Sequence, residues 1–248
     1  MQFLRGCPRR SGQDLANVPF VHQRIGLVTG ANNPLRACQS LFRKHTSTND
    51  EDLWTGVHNI QEDIYIKCAT FDKWKLLAAS QAMMLLILLR LRHGSNHDAF
   101  PAVDIALLYS LQLRTTLLSG NRAVHDWQAW IFRESLIRTA TIYFLMRILV
   151  STECGISCDG PNDWRLEEIP LLASKAAWEA TNEIAWEAAS RISVVPSTVL
   201  RYGDLIGTEG YHPNSGTAHQ IETWLEGADE LGLITSISST LVNQHYKT

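Results

Sequence analysis

One segment, His125 to Leu149, constrains the fold more than any other: HDWQAWIFRESLIRTATIYFLMRIL. It is apolar on nearly every side of a helical wheel, and yet it carries Glu134 and Arg138 in its middle. A helix that lacks a polar face belongs near the centre of its domain. We therefore expect both charged side chains to be buried. Whether they form a structural ion pair or a catalytic pair decides the class of protein.

Glu134 and Arg138 are four residues apart with the carboxylate on the amino-terminal side, so the two side chains can meet on the helix surface. Buried charges are tolerated when they are paired, and the planar guanidinium suits a carboxylate. A catalytic glutamate would instead need a pocket and a second acid or base, which the neighbouring residues do not supply. We favour a structural ion pair and expect Glu134→Ala to cost about 3–5 kcal/mol of stability.

Helical periodicity extends over most of the chain. From about residue 35 onward, apolar residues recur at spacings of three and four, whereas the alternation typical of strands is scarce. The pattern predicts an all-α fold, a single multi-helix domain of about eight helices over residues 35–248. Residues 1–34, rich in glycine, proline, arginine and asparagine, are predicted to form a loosely ordered N-terminal arm. The predicted helices cover residues 35–45, 50–66, 73–92, 101–119, 125–150, 174–192, 197–206 and 217–242.

Composition limits the classes of function. With 22 basic and 25 acidic residues the net charge is −3, so the chain has no overall basic field, and we expect no strong direct DNA binding. Five cysteines, an odd number with only Cys154 and Cys158 close together, suit reduced thiols in an intracellular protein. The longest apolar run, Leu76 to Leu89, is shorter than the ~20 residues that a membrane-spanning helix needs, which favours a buried core helix and no membrane partner.

Several patterns that resemble ligand sites are interpreted as ordinary structure. The segment Gly26 to Leu35, GLVTGANNPL, begins like a dinucleotide-binding turn but lacks the later glycines and the strand–helix alternation. Glu179, Glu183 and Glu187 form a ladder that favours a solvated acidic face, with Glu187 reaching Arg191. Because no cysteine or histidine spacing fits a zinc site, we predict no metal or cofactor in this chain.

Four stretches together resemble a known family. Trp127, Trp130, Glu134 and Arg138 are similar to the W..W...E..RR signature of the fungal-specific transcription factor domain, the middle homology region of fungal zinc regulators. Ile137 stands where the family often has its first arginine. Three further stretches resemble motifs of that family in the same order: LLAASQAMMLLILLRL (76–91), EEIPLLASKAAWEATNEIAWEAA (167–189, with Trp178 and Trp186) and IETWLEGADELGLITSISSTL (221–241, with Trp224 and Asp229).

The resemblance implies a nuclear, non-enzymatic regulatory domain that acts through protein partners or a separate DNA-binding module. Zinc would be expected only in such a module upstream, and no spacing here fits one. Trp127, Trp130 and Trp178 are packing residues in the favoured interpretation, and the alternative is that they line a pocket for a small apolar effector.

A helical enzyme acting on a hydrophobic metabolite is the competing hypothesis. Its acid or base would be Glu134, Asp229 or a histidine, and it requires an enclosed pocket where at least two titratable side chains converge.

Overall fold

The computed structural model describes residues 2–30, 33–45, 50–93, 126–154, 169–192, 200–206 and 216–246. Within these ranges the chain forms eleven α-helices, two short 3-10 helices and no β-strand, with one isolated antiparallel bridge between Pro170 and Arg201. The protein is therefore all-α, as the periodicity predicts. It divides into two compact units, Met1–Ala123 and Val124–Thr248.

The first unit contains five described helices. They are α1 (Gln2–Gln13), α2 (Ile25–Thr29), α3 (Pro34–His45), α4 (Asp50–Lys67) and α5 (Lys73–His93), with 3-10 helices at Leu15–Asn17 and Cys68–Thr70. For α3, α4 and α5 the predicted bounds agree with the structure to within one residue, because each helix combines a long apolar repeat with a clear start. The predicted helix over 101–119 lies outside the described residues.

Helix α5 is the centre of the first unit. Every residue from Leu76 to Leu89 is buried, and α1, α2, α3 and α4 all pack against this helix. Its most polar buried group is Gln81, whose Nε2 donates a hydrogen bond to the carbonyl oxygen of Phe20 at 2.6 Å. By length and apolar composition α5 is the one described helix that could cross a membrane, but 78% of its most apolar stretch is enclosed by the fold.

Residues 2–30 correct the expectation of a loosely packed arm. Helix α1 packs against α3 and α5, and its buried face contains Leu4, Cys7 and Ser11 at spacings of three and four. Val18, Phe20, Val21 and Ile25 are buried in the segment that follows. The helical repeat is hard to read in the sequence because α1 is short, polar in composition and contains Pro8. Tertiary packing therefore orders a segment whose local propensity is weak.

Gly30 and Asn33, within GLVTGANNPL, lie at helix ends. Helix α2 ends at Gly30, whose φ of 74° is a conformation that glycine adopts without strain. Asn33 caps α3, because its Oδ1 accepts a hydrogen bond from the backbone N–H of Arg36 at 3.0 Å, and Pro34 occupies the first helical position. No strand precedes these residues in the described part of the first unit, so the likeness to a dinucleotide-binding turn has no structural counterpart.

The second unit contains six described helices: α6 (Trp127–Cys154), α7 (Lys175–Trp178), α8 (Glu183–Ile192), α9 (Tyr202–Ile206), α10 (Gly216–Gly227) and α11 (Glu230–Tyr246). Two predicted helices are each broken in two, since 174–192 becomes α7 and α8 and 217–242 becomes α10 and α11. Each break has a side-chain cap. Asn182 Oδ1 accepts from the N–H of Ala185 at 2.9 Å, and Asp229 Oδ1 accepts from the N–H of Gly232 at 3.0 Å.

Helix α9 anchors the second unit through Tyr202. Two backbone hydrogen bonds join the segment before α7 to the start of α9, one of them from the N–H of Tyr202 to the carbonyl of Ile169 at 2.8 Å. The buried hydroxyl of Tyr202 lies 2.6 Å from Ser238 Oγ on α11, and its ring makes an edge contact with Phe144 on α6. Through these contacts Tyr202 links three helices at one point of the unit.

Candidate functional site

The two charged residues in the middle of α6 are buried, as the helical wheel predicts. The side chain of Arg138 is 0% exposed, and Glu134 is 4% exposed as a residue. The side chains that share their line on the helix are buried too: Trp127, Ile131, Thr141 and Leu145. A guanidinium is tolerated at such a buried position only when it is paired, so Arg138 requires partners.

Each guanidinium nitrogen of Arg138 donates to a different group. Nε donates to Glu134 Oε1 at 2.9 Å, Nη1 to Asp229 Oδ2 at 2.5 Å, and Nη2 to the carbonyl oxygen of Ala173 at 3.4 Å. The Cζ atom of Arg138 lies 4.1 Å from the centre of the Trp178 ring, within the range of a cation–π contact. Arg138 therefore joins α6, the segment before α7, α7 itself and the start of α11.

One guanidinium faces two carboxylates in this cluster, so the cluster carries one excess negative charge if both are ionised. Burial is the main influence on Glu134 and raises the pKa of its carboxyl, and the charge of Asp229 acts in the same direction. The charge of Arg138 and hydrogen bonds from Arg138 and from the N–H of Ala173, at 2.9 Å, oppose that shift. Of the two carboxylates, Asp229 lies closer to the guanidinium, at 2.5 Å against 2.9 Å for Glu134.

Asp229 has a second role as the N-cap of α11. While Oδ2 binds Arg138, Oδ1 accepts from the N–H of Gly232, so both oxygens are engaged. At position 232 a Cβ atom would lie 2.9 Å from the Cβ of Ala228 and 3.7 Å from Asp229 Oδ1. The glycine therefore gives the cap the space that its geometry requires.

Three consecutive residues before α7 are held by different elements. The carbonyl of Leu172 accepts a hydrogen bond from Trp224 Nε1 on α10 at 2.8 Å. The backbone of Ala173 bonds both Glu134 and Arg138 on α6, as described above, and Ser174 caps α7 by accepting from the N–H of Ala177 at 3.4 Å. This short segment thus connects the ion cluster to three helices of the second unit.

Four of the five tryptophans of the predicted signature fall into two groups. Trp178 packs on Arg138 and Trp224 binds Leu172, which places both at the ion cluster. Trp130 pairs with Trp186 on α8, with ring centres 5.6 Å apart and ring planes tilted by 48°. Trp127 is buried at the start of α6. Since Trp130 and Trp178 have different partners, the effector pocket of Trp127, Trp130 and Trp178 stays a prediction.

The chemistry available to this cluster is that of fixed charges. A general base must reach a substrate proton, but Glu134 is buried with Oε1 shared between Arg138 and Ala173, and both oxygens of Asp229 are occupied. These contacts suit a structural role and give no support to acid–base catalysis by either carboxylate.

The three predicted ladder residues lie at the surface but not on one helix. Glu179 follows α7, whereas Glu183 and Glu187 are on α8. All three are exposed, and Arg191 Nη2 lies 3.3 Å from Glu187 Oε2, so the acidic residues are solvated as predicted. Across the described ranges no group of three or more histidine, cysteine or acidic side chains is arranged to hold a metal ion.

The sequence pointed to Glu134, Arg138, Trp178 and Asp229 but missed the bond between Arg138 and Asp229, which are 91 residues apart. It also missed the backbone of Ala173. Two signals were available. A buried guanidinium has five N–H donors, more than one carboxylate can satisfy, so a second acceptor is required. The sequence ADELG places an aspartate where a helix would begin, which marks Asp229 as a cap within a predicted continuous helix.

Comparisons of the chain with protein-family models, with curated proteins and with solved structures found no match. The functional interpretation therefore rests on the residues and their contacts.

Proposed function

We propose that this protein is the regulatory, middle homology domain of a fungal-type transcription factor, which acts in transcription regulation in the nucleus through protein partners. One observation carries the proposal. Glu134, Arg138, Trp178 and Asp229 come from three separate stretches that resemble the family, and they meet in a single buried ion cluster. Each of these residues is a charge, hydrogen-bond or packing partner of another, so we expect a family that keeps one of them to keep all four.

The cluster suggests how such a domain would couple one surface to another. Arg138 contacts groups on α6, α7, α11 and the segment at Ala173, so a shift of any one of them changes the bonds of the others. A protein partner, or a small apolar effector, that binds one packing arrangement more tightly would shift the population toward it. DNA would be held by a separate zinc module, in keeping with the net charge of −3.

A reporter assay tests this function. The full chain is fused to an unrelated DNA-binding module and expressed in yeast with a reporter that carries the matching site. We expect transcription to change relative to the DNA-binding module alone at equal protein level. An unchanged reporter would contradict the proposal.

Two substitutions on α6 link the reporter effect to the cluster. Arg138→Met removes the buried guanidinium, and Arg133→Met removes an exposed one from the same helix. We expect the reporter effect to be lost in the first and kept in the second. Arg138→Met leaves two carboxylates without their cation and so also destabilises the fold. Trp178→Leu, which removes the ring beside the guanidinium and keeps the ion pairs, is the milder variant. A cooperative melt of each variant accompanies the assay.

Direct DNA binding by the chain provides a separate check. Gel-shift titrations of the unfused protein on mixed duplexes are expected to show weak binding at most. A nanomolar shift that weakens steeply with salt would overturn the assignment of DNA contact to another module.

A further inference from the structure

A cavity of about 270 Å³ lies in the first unit, where α1 ends and the chain turns through Leu15–Asn17 toward α2. It belongs to a different unit from the Arg138 cluster and is independent of the function proposed above. Polar side chains dominate its wall: Asp14, His22, Gln23, Arg36, Gln39 and Arg43.

Helix α3 supplies three of these side chains from one face. Arg36, Gln39 and Arg43 are spaced by three and four residues, which aligns them along the helix. Gln39 is only 9% exposed, it lines the cavity, and its side-chain amide makes no hydrogen bond within the described residues. Because this amide lines the cavity and has no partner among the described residues, its N–H and carbonyl groups are available to a ligand.

The two arginines on either side of Gln39 differ in their hydrogen bonds. Arg43 is fixed by the end of α1, since its Nε donates to the carbonyl of Gly12 at 2.8 Å and its Nη2 to that of Gln13 at 3.1 Å. Arg36 is exposed, and its guanidinium forms no hydrogen bond or ion pair with the described residues. Its Nη2 lies 3.2 Å from where a Cβ atom on Gly26 would be, so the glycine leaves room for the guanidinium beside α2.

The charges of the wall favour an anion. Two arginines face a single carboxylate, that of Asp14, one of whose oxygens is already engaged with the N–H of Ala16 at 3.1 Å. We propose that this cavity binds a small oxyanion, either phosphate or a phosphate monoester. The donors of two guanidinium groups and one amide exceed what the two oxygens of a carboxylate can accept, whereas a phosphate monoester offers three peripheral oxygens. The volume is below the roughly 300–1,000 Å³ of pockets for drug-sized ligands, which suits a compact ligand.

Titration of the full chain with inorganic phosphate tests the site, with glycerol phosphate as the monoester and acetate as the carboxylate, all at constant ionic strength. Isothermal calorimetry or amide chemical shifts give the Kd, which we expect to be on the order of 1 mM for phosphate. Arg36→Gln should weaken phosphate binding about tenfold because it removes a charge-assisted donor. Arg9→Gln, which removes an exposed arginine of α1 outside the cavity wall, is the matched control and should leave the Kd unchanged.

Gln39→Met separates a ligand group from a structural one. An apolar side chain of similar length removes the amide without breaking a bond to the described residues, so the melting temperature should stay level while phosphate binding weakens several-fold.

Four results would overturn the proposal. The first is a parent protein that fails to bind either phosphate ligand. The second is equal weakening by Arg9→Gln and Arg36→Gln, which would mean general ion screening. The third is acetate binding as tight as that of phosphate, which would reject the assigned ligand class. Unchanged phosphate affinity in Gln39→Met would reject the role of the amide and with it the site as drawn.

Discussion

Two substitutions at Glu134 separate its charge from its hydrogen bonds. In Glu134→Ala, Arg138 Nε and the backbone N–H of Ala173 both lose an acceptor at 2.9 Å, inside a cluster whose guanidinium is fully buried. An unsatisfied buried donor costs about 1–3 kcal/mol. Two such donors, together with the lost ion pair, give an expected loss of about 3–5 kcal/mol in the free energy of unfolding.

Glu134→Gln is expected to cost less than about 1 kcal/mol. Its side-chain oxygen can still accept from Arg138 and Ala173, and Asp229 continues to balance the charge of Arg138. The substitution also removes the penalty of burying a second carboxylate, which is the penalty that raises the pKa of Glu134.

Urea unfolding followed by tryptophan fluorescence measures both values. Six of the eight tryptophans lie in the second half of the sequence, so the signal reports mainly on the unit that contains the cluster. Glu183→Gln, the same substitution at an exposed residue of α8, is the control and should have no measurable effect. If Glu134→Ala unfolded within about 0.5 kcal/mol of the parent, the buried acceptor would have no structural importance. Equal losses in the Ala and Gln variants would show that charge, not hydrogen bonding, is what the fold requires.

Three further outcomes are expected. Burial raises the pKa of Glu134 above its unfolded value of about 4.3, so the stability that this carboxyl contributes is present below that value and is lost as pH rises through the folded pKa. In urea unfolding, the parent should therefore lose stability relative to Glu134→Gln between about pH 4 and pH 7. A gain would contradict the direction of the shift. Gly232→Ala should destabilise the protein by about 1–3 kcal/mol because the new Cβ would lie 2.9 Å from the Cβ of Ala228. Gly216→Ala, whose new Cβ would have nothing within 4 Å, should stabilise it by about 0.5 kcal/mol. Thermal melts that rank the two variants in the opposite order would refute this. Tyr202→Phe removes a buried hydroxyl that lies 2.6 Å from Ser238 Oγ and should cost about 1 kcal/mol in the same assay, so an unchanged melting temperature would argue against that bond.

The sequence predicted the helices that carry their own signals. Helices α3 to α6 have long apolar repeats and marked starts, such as Asn33 with Pro34 for α3 and Asp126 for α6, whose Oδ1 accepts from the N–H of Ala129 at 2.7 Å. Periodicity also predicted the burial of Glu134 and Arg138 correctly, because both lie on one line of the helix with apolar residues that are buried.

What the sequence could not predict depends on contacts between distant residues. The bond from Arg138 to Asp229 spans 91 positions, and that from Gln81 to the carbonyl of Phe20 spans 61. The same limit explains the N-terminal segment, where a short polar helix with Pro8 is ordered by α3 and α5. The acceptor at Ala173 is backbone and so leaves no trace in side-chain chemistry.

The packing of residues 2–30 has a practical consequence for expression of the protein. A composition-based boundary would start a clone at residue 35, as though the first 34 residues were dispensable. Such a clone would lack α1 and α2, which pack against α5, and would open part of a helix with fourteen consecutive buried residues to water. The truncated protein is expected to aggregate because the apolar surface of α5 is exposed. Insoluble protein from that clone would then result from the missing helices and would not show that the full chain is unstable.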